Sequence, residues 1–152
     1  MSKLRIPLIG EKLMPITLTV RDVMDRRIFT LDVGATVNEA IKLMDQNNIW
    51  SLIVERKGVP EGVVTDRDVI RRCLAKGLAS DKTTVGSIES SPLITIGPDA
   101  NMREAMDMMS DRDIKRIFVV EGGKIVGRIT QTELFQSTLS VLETLSSLTN
   151  NL

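Results

Sequence analysis

Polar and apolar positions along the chain follow one rhythm, and the rhythm is written twice. A short apolar run, "IFTLDV" (28–33), gives way to turn residues. Apolar side chains then fall at helical spacing at Val37, Ala40, Ile41 and Met44. "NIWSLIVE" (48–55) has the length and apolar density of a strand, "RKGVPEG" (56–62) carries turn residues, and "GVVT" (62–65) reads as a returning strand. A second helical pattern starts at Asp66 and stops near Gly77, a residue suited to a helix C-cap. "LITIGP" (93–98), an apolar face of Met102, Ala105, Met106 and Met109, then "DIKRIFVVE" (113–121), "GGK" (122–124) and "GRIT" (127–130) restate the order, and a helix follows from Gln131. The predicted unit is strand, helix, strand, strand, helix.

The two statements are in register at an offset of 65 residues, with 11 identities over the 51 ungapped positions from Val20 to Ile70. The paired glycines Gly58/Gly123 and Gly62/Gly127 and the threonines Thr30/Thr95 and Thr65/Thr130 are among them. Capping boxes recur too. Thr36 with Glu39 and Asn101 with Glu104 are spaced to start the first helix of each copy. The expected fold is α/β in the broad sense (α+β), with two tandem units packed as a pseudo-twofold pair, because neither copy of about 60 residues buries much alone. The boundaries read as an N-terminal extension over 1–17, a first domain over 18–78, a second over 79–138 and a helical extension over 139–152.

Composition narrows the chemistry. The 20 basic and 20 acidic side chains cancel, so no global basic field calls for nucleic acid. Three Phe, one Trp and no Tyr leave little for base stacking. With no histidine, Ser-His-Asp and Cys-His catalysis and histidine metal sites are excluded. Cys73 is alone and reads as a buried structural thiol. Pro7, Gly10, Glu11, Lys12 and Pro15 interrupt any signal-peptide core, and no run approaches membrane-span length, so a cytoplasmic protein without membrane contact is expected. No catalytic set, resident cofactor or metal is expected.

The segments "VRDVM", "TVNEAIKLM", "IVERKGVPEGVVTDRDVI" and "VVEGGKIVGRITQTELF" carry a resemblance to the cystathionine β-synthase (CBS) domain pair, the Bateman module, over roughly residues 18–140. The resemblance implies two clefts between the copies, a regulatory rather than enzymatic role, and adenine nucleotides of the AMP, ADP or ATP type as ligands. Taken alone, Thr65-x-x-Asp68 is a capping box. In the resembled family, the residue at Thr65 touches phosphate and the one at Asp68 holds the ribose diol. The counterparts in copy two are Thr130 and Glu133, the latter one methylene longer.

The same resemblance places Ile28, Phe29, Thr30, Ile53 and Val54 around adenine in the first site, with Lys115 and Arg116 of the other copy reaching its phosphate. It places Leu93, Ile94, Thr95, Phe118 and Val119 around the second, with Arg67 and Trp50 as further candidates there. The plain alternatives are core for the apolar residues and solvated surface for the charged ones. A helix start also presents free N–H groups to phosphate.

The expected function is a stand-alone module that binds an adenine nucleotide and acts on a separate protein in trans. The alternative is a scaffold that holds S-adenosylmethionine, a metal or no ligand. Leucines and Val141 in the tail (Leu134, Leu139, Leu142, Leu145, Leu148) form a wide apolar face. That face predicts a homodimer, unless the tail folds back over "RIPLIG" (5–10).

Overall fold

The computed structural model describes residues 18–149, together with the backbone of two short antiparallel strands, β1 (Leu8–Ile9) and β2 (Lys12–Leu13). Other residues of the expected extension over 1–17, and the proposed cover of "RIPLIG" by the tail, lie outside the described residues. After a single helical turn, α1 (Val20–Val23), the first unit runs β3 (Thr30–Asp32), α2 (Val37–Asn47), β4 (Ser51–Arg56) and β5 (Val59–Thr65). Helix α3 begins over Asp66–Asp68, widens to π geometry over Val69–Cys73 and tightens to 3-10 geometry over Leu74–Lys76. Gly77, at φ 69°, closes it in the left-handed region that glycine enters without a Cβ penalty.

The second unit repeats this as β6 (Thr95–Ile96), α4 (Met102–Asp111), β7 (Arg116–Glu121), β8 (Lys124–Thr130) and α5 (Gln131–Thr149). Each unit has a three-stranded sheet with its middle strand parallel to the first and antiparallel to the last. The registers match at the sequence offset: Thr30 pairs with Ile53 and Thr95 with Phe118. The bulges match as well, between Val54 and Glu55 and between Val119 and Val120. The expected capping boxes at Thr36/Glu39 and Asn101/Glu104 are formed.

The two cores do not follow the two copies. Alongside Val37, Ala40, Leu52 and Val54, the first core takes Val85 and Ile88 from the start of the second copy. The second core takes Val20 and Met24 from the start of the first, beside Ala105, Met109, Ile117 and Ile129. Each copy therefore lends its opening segment to the other unit. The loans are pinned by equivalent bridges, Val63 to Ser90 and Arg128 to Asp25. Close approach explains one of the two glycine pairs, Gly62 and Gly127. A Cβ on Gly62 would stand 2.9 Å from the Ser90 carbonyl, and one on Gly127 would stand 2.7 Å from the Met24 sulfur. Glycine inside a strand marks such a contact.

Cys73 is fully buried, and its thiol donates to the Leu78 carbonyl at 3.5 Å, as expected of a structural thiol. Among the described residues, no helix is long and apolar enough to cross a membrane.

Candidate functional site

The segment that crosses from one copy to the other builds the larger cleft. Because Ser90 pairs with Val63 next to Thr65, the chain that continues through Pro92 to Ile94 runs along the mouth of α3. The result is a cleft of about 880 Å³. Its wall from the first copy carries Thr65, Asp68, Arg67, Arg71 and Arg72, and its wall from β7 and the residue before it carries Arg116, Phe118 and Lys115. A volume of this size lies within the range of small-molecule sites. The cations outnumber the carboxylates, which come from Asp66, Asp68 and Asp113.

Thr65 and Asp68 form the capping box that their spacing predicts. Asp68 Oδ2 accepts from the Thr65 N–H and hydroxyl, both at 2.9 Å, and the Asp68 N–H donates to the Thr65 hydroxyl at 3.2 Å. Asp68 Oδ1 accepts from the Ser90 hydroxyl at 3.2 Å and stands 3.6 Å from the Arg72 guanidinium. The Asp68 side chain is buried. The remaining N–H groups of the turn are also engaged: Asp66 N–H donates to the Trp50 carbonyl and Arg67 N–H to Asp66 Oδ1. The expectation of free N–H groups for phosphate is thus corrected at this helix start, where side chains and a neighbouring strand already use them. An anion in this cleft meets side-chain cations.

The second cleft is the pseudo-twofold counterpart and is smaller, about 200 Å³. Trp50, Ser51, Thr130, Thr132 and Glu133 line it, with Arg27, Arg116 and Arg128 as its cations. Glu133 accepts from the Thr130 N–H at 2.7 Å and from the Thr130 hydroxyl, again as a cap. Asp25 accepts from Arg27 at 2.8 Å and from Arg128 at 3.1 Å. Those two guanidiniums, Arg27 foremost, hold the Asp25 carboxyl well below the usual carboxylate range. Trp50 is 60 % exposed at the lip.

Thr65, Asp68, Lys115 and Arg116 line the first cleft and Trp50, Thr130 and Glu133 the second, which Arg116 also reaches, whereas Arg67, named for the second, lines the first. The apolar candidates are regrouped. Ile28, Phe29, Thr30, Ile53 and Val54 do not line the first cleft; Ile53 and Val54 are fully buried, and Phe29 packs against the first core. Ile94 and Phe118, expected in the second cleft, line the first. Leu93, Thr95 and Val119 line neither. The cause is the exchange of opening segments, which carries the approach to β6 to the Asp68 cleft. Sequence reasoning missed Ser90, Arg72, Arg27 and Arg128. Arg128 had a signal: it is a charge where the first copy has the apolar Val63. Among the described residues, no group of three or more Asp, Glu or Cys side chains is placed to hold a metal ion.

Comparison with known proteins gives one consistent picture. The model of the CBS domain matches residues 20–75 and again 85–139. The CBS domain-containing protein YhcV of Bacillus subtilis is 30% identical over 132 residues, 87% of this chain and 94% of its own. An uncharacterized conserved protein from Pyrococcus horikoshii superposes with a TM-score of 0.76 at 30% identity, covering 82% of this chain and 95% of that one. A hexameric CBS-CP12 protein from bloom-forming cyanobacteria superposes at 0.74 with 26% identity, covering 80% and 68%.

Proposed function

The chain belongs to the CBS domain family, and from that premise we propose that it is a regulatory module that binds an adenine mononucleotide in the larger cleft and acts on a separate protein. One observation carries this reading: a cleft of about 880 Å³ sets an apolar wall of Pro92, Ile94 and Phe118 beside a cluster of cations and the Asp68 carboxylate. The apolar wall suits a base. Lys115, Arg116 and Arg67 suit phosphate. Asp68 Oδ1, which accepts from the Ser90 hydroxyl and faces the Arg72 guanidinium at 3.6 Å, suits a ribose diol. The smaller cleft, with the longer Glu133, takes the same class of ligand more weakly.

AMP at 100 times its dissociation constant is expected to add roughly 2.7 kcal/mol of stability, which raises the melting temperature by roughly 5–10 °C. Asp68→Ala should remove most of that gain. It should also lower the unliganded stability by about 1 kcal/mol, because the same carboxylate caps α3. The ligand-induced shift, measured for each protein against its own unliganded baseline, separates the two effects. An Asp68→Ala protein that binds AMP as tightly as the parent in calorimetry leaves Asp68 with its capping role alone. S-adenosylmethionine and divalent cations in the same panel test the scaffold alternative.

Self-association is the second part of the proposal. Leu134 is buried against the second core, so that side of α5 is occupied. Phe135, Leu139, Leu142, Leu145 and Leu148 remain between 42% and 65% exposed. Ile70 and Leu74, the counterparts of Phe135 and Leu139 on α3, are exposed too. A row of this length is unusual on a lone chain, and a second copy is the occupant proposed. Light scattering should find a dimer at micromolar concentration, and truncation after Gln136 should give a monomer. A monomeric full-length protein defeats the idea, and a dimeric truncation moves the contact to α2, α3 and α4.

A further inference from the structure

Among the described residues, Arg116 is the one that lines both clefts. It opens β7, and its counterpart at the start of β4 is Ser51, so the pseudo-twofold relation that duplicates almost everything else supplies a cation here only once. Its guanidinium crosses to the other copy and donates to the Trp50 carbonyl at 2.8 Å, next to Ser51. Among the described residues, no carboxylate forms an ion pair with it. The surrounding charges are unequal. Asp66 and Asp68 act on it from the first cleft and Arg128 from the second. Burial pushes its pKa below the ordinary guanidinium value, which is the mark of a partly desolvated cation without a close counter-charge.

We propose that Arg116 is a single cation shared by the two clefts, so that an anionic ligand held by it in one cleft weakens anion binding in the other. One planar fork makes a bidentate contact with one phosphate at a time. The first ligand to bind takes that contact, and the second binds without it. The inference rests on the nucleotide reading above and adds antagonism between the sites.

The test uses AMP and two substitutions that close one cleft each to anions. Arg67→Glu and Thr132→Glu place a carboxylate at matching exposed positions in the first turns of α3 and α5, where acidic side chains suit the helix. Circular dichroism checks that each variant folds. In calorimetry, Arg116→Ser should weaken AMP roughly tenfold in both single-cleft proteins, the scale of one lost charge-assisted contact. In the chain with both clefts open, the same substitution should weaken the first binding event by that factor and leave the second within about twofold. A loss in only one of the single-cleft proteins assigns Arg116 to that cleft and overturns the inference. A chain closed by Arg67→Glu that binds no AMP overturns it too, while leaving the reading of the larger cleft intact. If the unsubstituted protein binds no AMP, the nucleotide reading fails and the sharing falls with it.

Discussion

Asp25→Ala is expected to cost about 3–5 kcal/mol, the loss seen when one partner of a buried ion pair is removed. The side chains of Asp25 and Arg128 are 14% and 11% exposed and meet at 3.1 Å. Among the described residues the Nε of Arg128 already has no partner, so the substitution leaves a buried guanidinium with little to hold it. Arg27 also bonds Asp25, but its side chain is 67% exposed and water screens it. Arg27→Ala should therefore cost less than about 1 kcal/mol. Urea unfolding of the three proteins checks the order. An Asp25→Ala loss near that of Arg27→Ala would mean that the buried pair contributes little.

The acid limb of stability should report the Asp25 carboxylate and both of its guanidinium partners, Arg27 foremost. Arg27 and Arg128 lower the folded pKa of Asp25 below its unfolded value of about 3.9. A carboxyl shifted this way contributes its full stability above the unfolded pKa and loses it as pH falls toward the folded one. The parent should lose stability below about pH 4 more steeply than Asp25→Asn does.

A chain that starts at Arg26 is expected to lose the second unit, even though every residue of the second copy remains. Val20 and Met24, which pack in the second core, would be gone. Two such side chains are worth roughly 1.5–3 kcal/mol each. With Asp25 removed as well, the sum is about 6–11 kcal/mol, comparable to the whole stability of an ordinary domain. Hydrogen exchange resolved along the sequence should show amides of β7 and β8 losing protection first. Full protection of β7 and β8 in the shortened chain would show that the borrowed segment is dispensable.

The elements were legible because their signals are local. Helical spacing at Val37, Ala40 and Met44 and the threonine-to-acid spacing at Thr36 and Thr65 each need only a few neighbouring residues to be read, and the structure forms all of them. The offset of 65 residues also foretold which positions correspond, and the structure keeps that offset in its bulges as well. The exchange of opening segments was not legible, because nothing within "VRDVM" says which core it enters. Its trace lay in the identical glycines Gly62 and Gly127, which record a close neighbour without naming it. The charged candidates other than Arg67 lie along the clefts named for them, whereas the residues named around the base were divided between the clefts along the copies and not along the cores.

That exchange sets how the molecule comes apart. Two domains joined by a linker can melt one after the other, each with its own transition. With both borrowed segments in place, opening either core pulls on chain that completes the other, so thermal unfolding is expected to be a single cooperative event. The enthalpy from the steepness of the melt should equal that of the whole described chain. A ligand held in either cleft is then felt as one shift of one transition, and the duplicated sequence behaves as one thermodynamic body.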